Sequence, residues 1–217
     1  MLEILFIRHG ETQWNVDKRL QGHLDIGLNR EGLRQATALG RRLLDEPLDA
    51  IFASDLRRAT DTAKAIAMPQ GLKVQLEPSL RERCFGAFEG LLHPEIEERY
   101  PPAFAEWKRR DLDARYPCGQ YHAETLREFS MRVLACVARI AESDDSYRKI
   151  AIVTHGGVLD TMYRHVHKLP YEHPRDFPVL NASINRLSLD GDEFRILEWA
   201  DVSHLNKHAL DEVDNAR

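Results

Sequence analysis

The residues most able to do chemistry in this sequence begin where an apolar run stops. Residues 3–7 read EILFI, which is typical of a buried strand, and Arg8 and His9 follow directly. Arginine is a permanent cation that binds anions, and histidine is a nucleophile when it is neutral. At a single strand end these two residues also fit an ordinary polar surface. The rest of the sequence is therefore needed to distinguish a functional site from such a surface.

Two further apolar runs end in the same kinds of residue. The run 49–53 is followed by Ser54 and, one helical turn later, by Arg58, and the run 149–154 is followed by His155 and two glycines. In parallel α/β sheets, ligands bind beyond the carboxyl ends of the strands, and helix N-termini at that edge favour anions. The sequence therefore predicts a pocket for a compact anion. Phosphate is the natural candidate, because the fork of arginine matches its oxygens.

The strands that must position these residues are short and separated by helical patterns. Strands are predicted at 3–7, 49–53, 73–77 and 149–154, and a closing hairpin pairs 183–189 with 193–199. Strands that alternate with helices predict an α/β fold with a mainly parallel central sheet and helices on both faces. The proline-containing segment at approximately 93–122 is predicted to be a small insertion over the active site.

The helices are predicted from apolar spacing and capping residues. One helix spans 29–46 with Asn29 as its N-cap, and its apolar face is predicted to include Leu33. A second runs to about residue 67 from a cap at Ser54 or Asp55. A third fills 124–142, and a fourth follows Gly157.

The composition excludes several classes of function. With 217 residues and 43% hydrophobic residues, the chain is predicted to fold as one domain, 1–217. A formal charge of −5 argues against general nucleic-acid binding, and no apolar run is long enough to span a membrane. Three cysteines at unrelated spacings and the lack of a visible signal peptide predict a cytoplasmic protein. No oligomeric state is predicted.

Four motifs carry a resemblance to a known family: FIRHGETQWN (6–15), SDLRRATDTA (54–63), LRERCFGAFEG (80–90) and VTHGG (153–157). In this order and at these separations the chain resembles the phosphoglycerate-mutase-like branch of the histidine phosphatase superfamily. The likeness extends over nearly the whole chain. It implies a phosphoglycerate-mutase-like fold and phosphoryl transfer through a phosphohistidine, with neither a cofactor nor a metal ion.

The resemblance also implies roles for individual residues. His9 is the nucleophile and Glu82 is the proton donor. The transferring phosphoryl group is bound by Arg8, Arg58 and His155, with help from Asn15 and the backbone near Gly156. Gln21 and Gly22 line the substrate side, and Gly10 permits close backbone packing.

Elementary chemistry favours the same set. Phosphoryl transfer is catalysed mostly by positioning and by electrostatic stabilisation, which arginines supply without a metal ion. Nearby arginines are expected to lower the pKa of His9 and keep it neutral for attack. A glutamate next to the bound dianion is expected to have a raised pKa, which suits it to donate a proton and later to activate water.

Three functions remain open at this point. The first is a metal-independent phosphomonoesterase that acts on a small phosphorylated metabolite, and the second is a 2,3-bisphosphoglycerate-dependent phosphoglycerate mutase. The third is a non-catalytic phosphate-ester-binding protein, against which the intact His9 and Glu82 argue. The insertion is shorter than in true mutases and lacks their tyrosine and proline-rich stretch, which favours the phosphatase.

Two other patterns have less specific interpretations. The basic run 108–110 is typical of a solvated face, although it could also reach the far end of the substrate, through Arg109 in particular. His204 and His208 have the spacing of a helical metal pair but no clear third ligand, so they are predicted to lie in a solvated tail.

Overall fold

A six-stranded sheet is the centre of the computed structural model, which describes residues 1–205 and 209–211. The strands are β1 (Leu2–Arg8), β2 (Ala50–Ala53), β3 (Val74–Leu76), β4 (Lys149–Thr154), β5 (Ile184–Asp190) and β6 (Glu193–Asp201). Their order in the sheet is β3-β2-β4-β1-β5-β6. The first four pair parallel with one another, whereas β5 pairs antiparallel with both β1 and β6 at one edge of the sheet.

Helices cover both faces of this sheet. They are α1 (Gln13–Asp17), α2 (Arg30–Arg42), α3 (Arg57–Ala67), α4 (His93–Arg99), α5 (Pro101–Lys108), α6 (Leu126–Ala141) and α7 (Gly156–His167). Short 3-10 turns lie at Met68–Gln70, Pro78–Leu80 and Gly86–Phe88. The predicted α/β fold, with a mainly parallel sheet between two helical layers, is confirmed.

The two faces of β1 explain the two layers. Successive side chains of a strand point to opposite faces, so Ile4 and Leu5 enter different cores. Ile4 packs in a cluster with Phe129 of α6 and Leu159 of α7, whereas Leu5 packs with Leu39 of α2. Burial on both faces is why β1 and β4 are apolar almost throughout.

The parallel pairing of β1 with β4 brings the chemistry-bearing residues together. Arg8 is in register with Thr154, so the residue that follows each strand, His9 or His155, emerges at the same edge of the sheet. The backbone N–H of His9 donates to the carbonyl of Thr154 at 2.9 Å, which extends the pairing into the site. The edge predicted from three strand ends is therefore present.

The segment 93–122 folds over the site end of the molecule. Its two short helices, α4 and α5, build a separate cluster in which Ile96, Phe104 and Trp107 pack against Phe88. This cluster is distinct from the two that cover the sheet. The insertion is thus held by its own apolar contacts.

Most predicted element bounds agree with the structure within two residues, and Asn29 caps α2 by accepting from the N–H of Gly32 at 2.8 Å. The cap predicted at Ser54 or Asp55 is wrong. Leu56 holds the N-cap position of α3 without a side-chain hydrogen bond. The two polar side chains are used elsewhere, because Ser54 contacts His155 and Asp55 binds a guanidinium.

Two other expectations for helices need correction. Leu33 was predicted on the apolar face of α2, but its side chain is 55% exposed. The sequence also gave no separate prediction of α1, which begins at a capping box formed by Thr12 and Asn15. Among the described residues, no helix is both long and apolar enough to cross a membrane.

Candidate active site

His9 is held in one orientation by its own neighbour. Its Nδ1 lies 2.7 Å from the carbonyl oxygen of Gly10. A carbonyl only accepts, so Nδ1 carries the proton and Nε2 keeps its lone pair. Burial, followed by the charges of Arg58 and Arg8, lowers the pKa of His9 well below the usual histidine value. His9 is therefore a neutral imidazole with an available Nε2, which is the state that a nucleophile needs.

Gly10 permits the close packing that the resemblance implies. Its N–H donates to the hydroxyl of Thr62 at 3.0 Å. A Cβ atom at this position would approach the carbonyl oxygen of Gly32 to 2.6 Å, which real side chains do not tolerate. The turn after His9 can thus lie directly against the start of α2.

His155 lies beside His9 and is fully buried. The centroids of the two rings are 5.2 Å apart in an edge arrangement. Arg58 donates from Nε to Nδ1 of His155 at 3.3 Å, so the proton of His155 is on Nε2 and is donated to the hydroxyl of Ser54 at 2.8 Å. Burial and the charge of Arg58 lower the pKa of His155 well below its usual value, so it is also neutral.

The two arginines are anchored by backbone carbonyls. Arg58 donates from Nη2 to Gly22 at 2.7 Å and from Nη1 to Leu24 at 2.9 Å, and Arg8 donates from Nη1 to Val179 at 2.6 Å. Both side chains are buried at the base of the cleft. These carbonyl contacts fix the direction in which each planar guanidinium points.

Glu82 lies at the N-terminal end of α7. One carboxylate oxygen accepts from the N–H of Gly157 at 2.9 Å and the other accepts from the N–H of Arg83 at 2.8 Å. A Cβ atom at position 157 would collide with Glu82, so only glycine lets the carboxylate approach this helix. The two hydrogen bonds fix the direction in which Glu82 points.

The loop that carries Glu82 is braced by a partly buried ion pair. Arg132 donates to the carbonyl of Ser79 at 2.8 Å and to Glu124 at 2.7 Å, and Glu124 accepts from the N–H of Cys84 at 2.9 Å. These contacts fix the position of the backbone on both sides of Glu82. The sequence gives no local signal of this role for Glu124.

A cleft of about 410 Å³ brings most of the predicted residues together. Its walls are formed by Arg8, His9, Arg19, Leu20, Gln21, Gly22, Arg58, Glu82, Phe85 and Gly157. Gln21 and Gly22 thus lie in the same wall as Arg8 and His9. His155, Asn15 and Gly156 do not belong to this wall, and His155 acts on it from behind through His9 and Arg58.

Asn15 is buried behind the cleft. Its Oδ1 accepts from the N–H of Thr12 at 3.0 Å, and within the described residues its Nδ2 donates to no group. A buried amide without an acceptor costs free energy unless a ligand or water supplies one. This donor is consistent with the predicted assistance to a bound anion.

Three wall residues were missed by sequence reasoning: Arg19, Leu20 and Phe85. Arg19 donates to the carbonyl of Gly90 at 2.8 Å and pairs with Glu95 of α4 at 3.0 Å. Its only signal in the sequence is its place two residues before Gln21. Leu20 belongs to the cluster of the insertion, which is how that segment reaches the cleft.

A second cavity of about 380 Å³ adjoins the first and shares Glu82, Phe85 and Gly157 with it. Arg110 lies in its wall and donates to Asp160 at 2.9 Å, whereas Arg109 is exposed at the end of α5. Of the basic run 108–110, the structure therefore places Arg110, and not Arg109, in the wall of this cavity. The remaining walls are largely apolar, with Trp107, Leu126 and Phe129.

Within residues 1–205 and 209–211, no three histidine, cysteine, aspartate or glutamate side chains are grouped so that they could hold a metal ion. His208 lies outside these ranges, so the prediction that His204 and His208 lie in a solvated tail stays a prediction.

Comparison with known sequences identifies relatives over nearly the whole chain. A family model described as the histidine phosphatase superfamily (branch 1) matches residues 4–202. Phosphoglycerate mutase-like protein 4 of Arabidopsis thaliana is 36% identical over 208 residues, which is 94% of this chain and 87% of the relative. The metal-independent phosphoserine phosphatase of the same plant is 36% identical over 209 residues, 94% of this chain and 83% of the relative.

Solved structures show the same similarity. YhfR of Bacillus stearothermophilus superposes with a TM-score of 0.84 at 32% identity, covering 94% of this chain and 99% of YhfR. A mycobacterial glucosyl-3-phosphoglycerate phosphatase in complex with VO3 superposes with a TM-score of 0.79 at 29% identity, covering 92% of this chain and 99% of that protein.

Proposed function

The chain belongs to the histidine phosphatase superfamily, and we propose that it hydrolyses phosphate esters of small metabolites without a metal ion, through a phosphohistidine on His9. It is an enzyme, as its phosphatase and phosphoglycerate-mutase-like relatives are. The observation that carries the proposal is the state of His9. It is neutral, presents Nε2, and lies in one cleft with Arg8, Arg58 and the carboxyl group of Glu82.

The first half of the proposed reaction transfers the phosphoryl group to the enzyme. Nε2 of His9 attacks phosphorus, the N–P bond forms, and the P–O bond to the alcohol breaks. Arg8 and Arg58 balance the charge of the equatorial oxygens, and the carbonyls behind them hold their guanidinium groups in place. Glu82 gives its proton to the departing alkoxide.

The second half restores the enzyme. Glu82, now a carboxylate, takes a proton from a water molecule, whose oxygen attacks phosphorus while the bond to Nε2 of His9 breaks. Inorganic phosphate leaves, and Glu82 again carries the proton with which it began. The same residue serves both steps because it is fixed at the N-terminal end of α7.

The second cavity supports a preference among esters. Because Glu82 protonates the leaving oxygen in this proposal, the organic part of the ester lies on the Glu82 side, where the two cavities meet. Arg110 in that wall suits a substrate that carries a carboxylate. Phosphoserine is such an ester, and one relative is named as a phosphatase of it.

A screen of phosphate esters with EDTA present tests the proposal. We expect release of inorganic phosphate that is unchanged by the chelator, with esters of small hydroxy acids or amino acids among the better substrates. Activity that is lost in EDTA and restored by zinc or magnesium would overturn it. So would the absence of phosphate release from every ester, which would leave a phosphate-binding protein.

The same assay distinguishes a phosphoglycerate mutase. A mutase converts 3-phosphoglycerate to 2-phosphoglycerate in the presence of 2,3-bisphosphoglycerate and releases little free phosphate. We expect the opposite balance, with phosphate as the main product. Isomerisation that exceeds hydrolysis by tenfold or more would assign the chain to the mutases.

A further inference from the structure

Arg8 receives support from two segments that are distant in sequence. Its Nη1 donates to the carbonyl of Val179 at 2.6 Å and to the carbonyl of Leu210 at 3.3 Å. A guanidinium is planar and rigid, so acceptors on one nitrogen set the direction of all its other N–H groups. The orientation of Arg8 in the cleft therefore depends on where these two carbonyls lie.

The position of Leu210 is fixed by the residues around it. Its carbonyl also accepts from the N–H of Asn181 at 2.8 Å. The next residue, Asp211, accepts through Oδ1 from the N–H of Val179 at 2.9 Å and pairs with Arg175 at 2.9 Å. Leu210 and Asp211 together with Val179–Asn181 form a unit that we call the C-terminal clamp.

Charge explains why an acidic residue suits the end of the clamp. The side chain of Arg175 is only 2% exposed, whereas that of Asp211 is 43% exposed. Without the carboxylate the buried guanidinium would lose an ionic partner, which is costly. The interaction therefore draws this segment of the chain onto the loop that contains Val179.

The same loop also contacts the nucleophile. Asn181 donates from Nδ2 to the carbonyl of His9 at 3.0 Å, and the N–H of Ala182 donates to that carbonyl at 3.2 Å. The clamp thus lies directly behind both Arg8 and His9. None of its residues belongs to the wall of the cleft.

We propose that Asp211 is a positioning residue, which fixes the C-terminal clamp and through it the direction of the Arg8 guanidinium. The inference rests on the proposed function in one respect, that Arg8 binds the transferring phosphoryl group. A displacement of about 1 Å in a positioning group can cost about 100-fold in rate. Because Asp211 acts on Arg8 only indirectly, its loss is expected to reduce the rate by less than this.

The first experiment compares Asp211→Ala with the unchanged protein. We expect kcat/KM for p-nitrophenyl phosphate to fall about tenfold, and inorganic phosphate to bind about tenfold more weakly by calorimetry. Asp211→Asn keeps an acceptor for the N–H of Val179, so its loss should be smaller. Asp113→Ala is the matched control. It breaks an exposed ion pair with Arg127, neither partner of which belongs to the wall of the cleft, and both quantities should stay within about twofold.

A double-mutant cycle separates positioning from general stabilisation. Lysine at position 8 lacks the fork that the two carbonyls hold. In an Arg8→Lys background, Asp211→Ala should therefore change kcat/KM and phosphate binding by less than about twofold. If Asp211→Ala does not fold, the same cycle is run with Asp211→Asn.

Two results would overturn the inference. One is an equal loss from Asp211→Ala in both backgrounds, which would mean that Asp211 acts on the fold and not through Arg8. The other is unchanged kcat/KM and phosphate binding with only a lower melting temperature. Phosphate binding is measured without turnover, so a clamp that fails and a protein that does not hydrolyse esters give different results.

Discussion

The base of the cleft and the wall of the second cavity hold their basic side chains in different ways. At the base, Arg8, Arg58 and His155 are buried and anchored to backbone or side-chain groups of other elements. In the wall of the second cavity, Arg110 lies just after a short helix in a left-handed conformation, with a φ of 53°, and its neighbour Arg109 is exposed. The base is set by the pairing of β1 with β4, whereas the wall is set by the packing of a separate cluster.

This difference indicates that the two regions have different roles in the reaction. Residues held by the sheet edge are suited to the invariant part of the reaction, the transfer of a phosphoryl group, which requires fixed charges. Residues on the insertion are suited to recognise the organic part of the ester. Changes at the base should reduce the rate for every ester, and changes in the wall should alter the ranking of esters.

The largest effect that depends on the substrate is expected for Glu82→Gln. Loss of general acid catalysis typically costs about 10²–10⁴ in rate, and it matters most when the leaving group is a basic alkoxide. Phosphorylation of the enzyme by phosphoserine in a single turnover should therefore slow far more than phosphorylation by p-nitrophenyl phosphate. Equal losses for the two esters would show that Glu82 only shapes the cleft.

Arg58→Ala should reduce kcat/KM for all esters alike. Removal of one donor to the transition-state oxygens typically costs about 10²–10³, and a charged donor should cost no less. Arg57→Ala is the matched control, since Arg57 is the exposed neighbour on the same helix. If Arg58→Ala stayed within about threefold of the unchanged enzyme, Arg58 would lie outside the functional site.

Arg110→Ala should change the ranking of substrates by a smaller amount. We expect kcat/KM for an ester with a carboxylate to fall about tenfold relative to an ester without one, because a charge-assisted hydrogen bond is lost. Arg109→Ala should leave this ratio within about twofold. A uniform loss across both kinds of ester in Arg110→Ala would place Arg110 with the base of the cleft.

How much of the site could be predicted from the sequence also differs between parts of the molecule. The base could be predicted because Arg8, His9 and His155 are next to apolar runs whose parallel pairing is a general rule. The groups that hold these side chains in place could not be predicted from the sequence. The carbonyls of Val179 and Leu210 come from positions 171 and 202 residues away from Arg8, and a backbone carbonyl carries no side-chain signal.

Other misses have local causes. Ser54 has the residue type of a helix cap, but its hydroxyl is used by His155, which sequence spacing does not reveal. Leu33 has the spacing of the apolar face of α2 but lies beyond the reach of the core. Arg109 and Arg110 are adjacent in sequence, and only the end of α5 and the turn that follows decide which of them enters the wall.

The smallest expected effect concerns stability at acid pH. The pKa values of His9 and His155 are lowered on folding, so above pH 6.5 both are neutral in the folded and unfolded states. As pH falls below that value, the unfolded chain binds protons that the folded chain does not bind, and the free energy of unfolding decreases. Each histidine contributes up to about 1.4 kcal/mol per pH unit.

Urea unfolding of the phosphate-free protein at several pH values between 7 and 5 measures this effect. His155→Gln removes one of the two titrating groups while keeping a donor near Ser54, so its stability should fall less steeply with acid than that of the unchanged protein. Parallel curves for the two proteins would mean that His155 titrates normally in the folded state.

The central claim, that the phosphoryl group passes through His9, is tested most directly by trapping the intermediate. The enzyme is mixed with a labelled ester, denatured without acid during turnover, digested and mapped by mass spectrometry. We expect phosphate on His9 in a linkage that is stable to base and labile to acid, and none in His9→Ala. Phosphate on a serine, a cysteine, an aspartate or His155 would contradict the account.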